Sequence, residues 1–236
     1  MPADVAVAYC VPPILSGLVH LPFVRSLYRV MAYDGGHNQR IANVIDSVHA
    51  YIPEARSQAV RNFLELPAEV EWLWFLDYDV VFNPDALDKL LAVADPVTHP
   101  IVCALYFIRM ADDKIWPGWL EENPETGEPR NVSTVVAGEL REMLGVSMGC
   151  TVIHRSVFTK LQEIYSPDPW PWYGHDLVHA RDGRTLRASE DHTFCMRARK
   201  AGFSCWGYGG VHVDHVKTEM ISWHSFGRDD EAVSVK

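Results

Sequence analysis

The 236-residue chain carries 31 acidic against 21 basic side chains, a formal net charge of −10. That balance excludes a generally basic nucleic-acid binder, while leaving room for a local cationic groove. With 48% hydrophobic and 22% charged residues, the chain has the composition of an ordinary globular protein and the length to bury a full core.

The start, MPADVAVAYC, lacks a charged stretch followed by a long apolar one, so no secretion leader is expected. No apolar run approaches the length of a membrane span. Cys10, Cys103, Cys150, Cys195 and Cys205 are odd in number and show no CxxC spacing. Four of them sit in apolar runs, where a reduced cysteine is a small core residue, so a reducing, cytoplasmic setting is expected.

Val5 to Val11 reads as a short apolar strand ending at Pro12-Pro13, an exit at which Tyr9 to Val11 face a ligand. Ile14 to Val30 has helical spacing through Leu18, Leu21 and Leu27, with Pro22 as a kink or break. Asp34 to Asn38 reads as a loop and Ile41 to Val48 as a second strand. Pro53 opens a helix whose Ala55, Ala59 and Phe63 share a face. Arg56 lies in its first turn. It makes either an anion site beside exposed N–H groups or a solvated partner for a neighbouring acid such as Glu54.

Trp72 to Leu91, WLWFLDYDVVFNPDALDKLL, is the centre of the chain. Five bulky apolar residues, Trp72 to Leu76, predict a strand buried on both faces, the pattern of a central parallel strand. It ends at Asp77-Tyr78-Asp79, and the carboxyl end of such a strand is where open α/β sheets place ligands. Separated by one residue, the two carboxylates splay to opposite sides unless the backbone bends, so one can hold a metal while the other meets a different part of the ligand. Asn83-Pro84-Asp85 predicts a cap and the first turn of a helix.

Ile101 to Phe107 reads as another buried strand, Arg109 to Pro129 as an irregular excursion, and Val132 to Val136 and Gly145 to Ile153 as strands. A short helix begins at Ser156. Three prolines exclude regular structure over Pro167 to Gly174. Its Trp170, Trp172 and Tyr173 form either an acceptor-side wall for a sugar or base, or ordinary packing of a loop over the core. Ser189 predicts a helix cap with Glu190 and Asp191 in the first turn and Gly202 as its closing glycine. Phe203 to Tyr208 and Val211 to Val216 read as strands, with Val211, Val213 and His215 on one face. Residues 227–236 read as a polar tail on a single domain spanning 1–226.

Taken singly, the Asp-x-Asp, the Glu-Asp pair and a strand histidine are weak signals, because capping, helix dipoles and core hydrogen bonds account for each. Their order and surroundings say more. IPEARSQAV, WLWFLDYDVVFNPDALDKLL, VSMGCTVIHRSVF, SEDHTFCMRARKAGF and VHVDHV together resemble the GT-A glycosyltransferases. The likeness is greatest to short stand-alone, family-2-like members common in bacteria and their phages, and runs from about Ile52 to Val216. One departure is Ser57, where many relatives have asparagine after the arginine.

The resemblance implies an α/β, Rossmann-like fold with a mostly parallel central sheet flanked by helices and a small acceptor-side subregion. It implies a UDP- or GDP-sugar donor and a divalent ion, Mn²⁺ or Mg²⁺, that neutralises the departing diphosphate. By the same resemblance Asp79 and His215 hold the metal, with Asp77 sharing it or facing the ribose and His212 as the rival ligand. Tyr9, Val11, Arg56, Tyr78 and Gly149 fall on the donor side, with a tight strand contact as the other reading of Gly149. If the reaction inverts configuration, Asp191 is the base and Glu190 orients the acceptor or the sugar hydroxyls; if it retains configuration, neither need be a base and the leaving phosphate takes the proton. The acceptor is a protein, a glycan or a modified DNA base, for which Arg181, Arg184 and Arg187 line a groove.

Two other readings compete. A haloacid-dehalogenase-like phosphatase uses a strand ending in Asp-x-Asp, with Asp77 as nucleophile, but usually opens with that strand. The other is a nucleotide-sugar-binding module without turnover.

Overall fold

The computed structural model describes residues 3–11, 19–109, 114–179 and 183–216. The expected tail, Arg181 and the first part of the Ile14 helix lie outside them. The described residues form five helices among the strands: α1 (Leu21–Gly36), α2 (Ile52–Leu64), α3 (Ala86–Val93), α4 (Arg155–Tyr165) and α5 (Glu190–Lys200). The strands of the amino-terminal half are β1 (Val5–Val11), β2 (Ile41–Val48), β3 (Trp72–Asp77), β4 (Val80–Phe82), β5 (Ile101–Arg109), β6 (Ile115–Pro117) and β7 (Trp119–Glu122). Then come β8 (Pro129–Asn131), β9 (Leu140–Met143), β10 (Gly145–Val146), β11 (Cys150–His154), β12 (Leu177–His179), β13 (Thr185–Arg187) and β14 (Cys205–His215).

The main sheet runs β2-β1-β3-β11-β5-β14-β4, with β6 on β5 and β9 on β14. β2, β1, β3, β5 and β14 point one way, while β11 and β4 point the other. β3 lies inside the sheet, parallel to β1 and antiparallel to β11, and Trp72 to Leu76 are all buried. An apolar run with no alternation has this consequence: both faces are covered, so neither can carry polar residues. The register sets Cys10 opposite Asp77, so β1 and β3 end side by side.

Several elements depart from the sequence expectation. α1 begins at Leu21, and Pro22, which lacks an N–H to donate, occupies its first turn instead of kinking a longer helix. It runs on through Asp34-Gly35-Gly36, expected as loop. Asn83 does not cap α3 with its side chain; its carbonyl accepts from the Ala86 N–H (3.1 Å) and the helix starts after that turn. Val132 bonds the Trp119 carbonyl (3.3 Å), and residues 132–136 form no strand. The excursion from Arg109 to Pro129 contains β6 and β7.

The expected strand Gly145–Ile153 is cut in two at Ser147–Gly149. Ser147 N–H goes to the Gly118 carbonyl (2.9 Å), and the Gly149 carbonyl accepts from Asp77 N–H (2.9 Å). The backbone there is spent on the site instead of on a ladder. Conversely, the two expected carboxyl-terminal strands fuse into β14, whose register shifts between Tyr208 and His212. Val211 and Val213 are buried while His212 and Asp214 are exposed, the alternation expected of its two faces.

Candidate active site

Arg56, Asp77, Glu190 and Asp191 meet beside the carboxyl ends of β1 and β3, and Asp79 lies next to them along the chain. Asp77 terminates β3. Asp79 follows in the turn to β4, which pairs with β14 so that Val80 lies opposite His215. Glu190 and Asp191 open α5, where the Ser189 hydroxyl accepts the His192 N–H (3.3 Å) and caps the helix as predicted. Arg56 comes from the first turns of α2 and is 3% exposed. It is buried, not solvated, and it pairs with acids of other elements instead of Glu54. Its guanidinium is shared among Asp77 (3.1 Å), Asp191 (3.5 Å) and Glu190 (3.9 Å). Burial alone would make Arg56 easier to deprotonate; Asp191 and Asp77 outweigh it and hold the charge.

Three acids around one cation leave the cluster negative. Burial pushes the Asp191 carboxyl up from its ordinary 3.8 to about 7. Arg56 opposes that rise, Glu190 and Asp77 add to it, and the Met148 N–H, donated to Asp191 Oδ2 at 3.1 Å, opposes it again. A carboxylate balanced near neutrality is matched to accepting a proton.

The backbone bends after Asp77, with Tyr78 and Asp79 in the turn between β3 and β4, and the two carboxylates meet different partners. Asp79 Oδ2 lies 3.0 Å from His215 Nε2, while Asp77 turns to Arg56 and does not join them. Among the described residues no group of three acidic, histidine or cysteine side chains is arranged to hold an ion. The expected Asp77-Asp79-His215 set is therefore a pair with a neighbour. The pair itself fits a divalent cation. His215 Nδ1 is 3.1 Å from the Phe107 carbonyl oxygen, which only accepts, so Nδ1 carries the hydrogen. In the neutral ring, Nε2 then aims a lone pair at a carboxylate oxygen, and two acceptors face each other unless a proton or a cation lies with them. A ring held by a backbone carbonyl on one nitrogen with the other offered is how metal-binding histidines are oriented. His212, the rival, turns instead to the Gly209 carbonyl (3.1 Å).

Gly149 is fixed by close approach. A Cβ there would lie 2.9 Å from the Tyr106 hydroxyl and 3.0 Å from Asp77 Oδ2. Tyr106, which the sequence reading passed over, accepts the Gly149 N–H (3.4 Å) and sets its ring edge-on to His215 at 5.7 Å. Its position at the end of an apolar run, as Asp77 is at the end of another, was the available signal. His20 was also missed and stacks on Tyr78 at 5.7 Å. Burial, with Asp79 and Asp77 nearby, raises the Tyr78 hydroxyl. Tyr9 is half-buried against Phe23, and Val11 is buried at the end of β1.

The proposed aromatic wall is corrected. Trp172 is 2% exposed and donates its indole N–H to the Phe158 carbonyl (2.8 Å), and Tyr173 is fully buried, stacked on Phe194 at 4.9 Å. Buried rings have no face to offer a sugar. Tyr173 instead lies under the Arg56 guanidinium, 6.0 Å away. Trp170 is half-buried with Arg61 over its ring at 5.5 Å. Open space of about 390 Å³ lies beside His215, walled by Phe107, Ile115 and Asp214. The cavity of about 520 Å³ near Glu71 and Lys160 borders none of the site carboxylates.

This architecture is a GT-A-like glycosyltransferase fold. Solved structures similar to it include "GalNAc-T7 with UDP, GalNAc and Mn2+" (TM-score 0.55, 12% identity, 91% of this chain and 44% of that one). Protein A197 from STIV is similar with a TM-score of 0.51, 16% identity, and 90% and 86% of the two chains covered. S. aureus TarS 1-349 in complex with UDP-GlcNAc follows at 0.50, 12% identity, with 92% and 60% covered. The chain thus spans less than two thirds of the GalNAc-T7 and TarS chains. No protein-family profile and no curated sequence matches it. Asp77, the nucleophile of the phosphatase reading, ends the third strand of the chain and pairs with Arg56.

Proposed function

We propose that the protein is a divalent-metal-dependent glycosyltransferase that moves one sugar from a nucleoside-diphosphate sugar to an acceptor hydroxyl on a protein, a glycan or a modified DNA base. The observation that carries this reading is the Asp79–His215 pair, with the nitrogen lone pair aimed at a carboxylate, beside an acidic cluster at the carboxyl ends of β1 and β3. Among the similar structures, GalNAc-T7 holds UDP and Mn²⁺ and TarS holds UDP-GlcNAc, which favours a UDP-sugar over a GDP-sugar.

Asp79 and His215 would hold Mn²⁺ or Mg²⁺, which supplies Lewis-acid neutralisation of the diphosphate charge. Asp77, turned away toward Arg56, is left for the ribose side. Gly149 leaves room for Tyr106 and Asp77 to close together beside the site. Asp191 takes the acceptor proton at its carboxylate, and Arg56 keeps that group ionisable near neutral pH despite its burial. Glu190, on the same guanidinium, orients the hydroxyls.

The test is a donor-hydrolysis screen of UDP- and GDP-sugars with Mn²⁺, Mg²⁺ or EDTA. One donor should release nucleoside diphosphate only with metal, and Asp79→Ala should abolish metal-dependent donor binding. Phosphate release from simple esters without a sugar donor, or turnover unaffected by EDTA, would sink the proposal.

A further inference from the structure

α1 buries one face and carries an apolar stripe on the other. Phe23, Ser26, Val30 and Asp34 are buried against the fold. On the side away from it Leu21 (58% exposed), Val24 (44%), Tyr28 (74%) and Met31 (38%) recur at helical spacing and face outward. Single exposed apolar residues are ordinary, whereas four in one stripe on one helix mark a contact surface. Arg25 and Arg29 are exposed too. At about 100° per residue they lie together along one edge of the stripe.

The charge of this face is opposite to that of the chain. The whole protein carries −10, yet from Leu21 to Met31 there are two arginines and no acid. The one acid of the helix, Asp34, is buried and accepts the Arg40 and Ile41 N–H groups at 2.9 and 3.0 Å. An outward apolar stripe edged only by cations is the pattern of a helix lying in a membrane interface, its rings and aliphatic chains among the acyl groups and its arginines at the phosphates. A second copy of the chain suits it poorly. A two-fold contact of α1 on α1 brings like residues together, setting arginines against arginines with no acid between.

We propose that α1 docks on an anionic lipid surface through Leu21, Val24, Tyr28 and Met31, with Arg25 and Arg29 at the headgroups. His20, at the start of α1, stacks on Tyr78 between Asp77 and Asp79, so a bilayer under α1 lies beside the mouth of the site. This binding stands independently of the reaction proposed above.

The test sediments the full chain with phosphatidylcholine vesicles containing phosphatidylglycerol, and with phosphatidylcholine alone. The chain should pellet with the former and stay in solution with the latter. Arg25→Gln/Arg29→Gln should bind about thirtyfold more weakly, each arginine near a charged leaflet being worth about fivefold. Tyr28→Ser/Met31→Ser should lose binding as well. Because all four residues are exposed, both variants should melt with the wild type; either one alone suffices if the other does not fold. Three results overturn the proposal: no pelleting with either vesicle, equal binding by wild type and both variants, or a lipid-free dimer in light scattering that Tyr28→Ser/Met31→Ser breaks.

Discussion

Replacing Arg56 with methionine keeps most of the side-chain volume and removes the guanidinium that Asp77, Glu190 and Asp191 share. At contacts of 3.1 to 3.9 Å, each pair is worth about 4–5 kcal/mol at an effective dielectric of about 20. The desolvation of the guanidinium is recovered in the variant, so the net loss expected is about 3–5 kcal/mol, the usual result of stranding buried charges. The loss should depend on pH in a definite direction. The folded Asp191 carboxyl, at about 7, lies above its ordinary 3.8, so between those values the folded chain binds a proton that the unfolded chain has released. Stability therefore falls as pH rises through that window. Arg56 holds the folded value down; without it the value rises further and the fall continues above about 7. The deficit of Arg56→Met should be largest near pH 8.5 and clearly smaller near pH 5.5, roughly one pH unit of extra shift adding about 1.4 kcal/mol. Urea unfolding followed by tryptophan fluorescence, in EDTA at both pH values, measures it. An equal deficit at both pH values, or none, would refute the shared-cation account.

Four further outcomes follow from the same geometry. Under the proposed reaction, turnover should rise with pH through about 7 and then level, because Asp191 must be ionised to act. Asp191→Asn should lower kcat by about 10²–10⁴ with donor affinity retained; an unchanged kcat would remove Asp191 as the base. Gly149→Ala places a Cβ against Tyr106 and Asp77 and should cost about 1–3 kcal/mol, read as a lowered Tm. Wild-type melting would show that the close approach is not obligatory. Ser189→Ala removes the α5 cap and should cost about 0.5–2 kcal/mol in chemical denaturation, with no loss meaning that the bond to His192 contributes nothing.

Local chemistry determined much of this protein. The unbroken apolar run Trp72 to Leu76 read as an interior strand and Ser189 followed by two acids as the start of a helix, and the fold has both. Each follows from backbone geometry and needs no distant partner. The alternation in Val211 to His215 likewise gave its two faces. What the sequence could not contain was which groups meet. Arg56 and Asp77 are 21 residues apart and Asp79 and His215 are 136 apart, and the packing of α2 and the β4–β14 register bring them together. Burial was equally out of reach. The same tryptophans and tyrosine suit a sugar platform or a core, and only the packing against Phe158 and Phe194 assigns Trp172 and Tyr173 to the core. The elevated Asp191 has the same origin. A carboxyl's proton affinity depends on the water it has lost and the charges around it, and both are properties of the assembled fold.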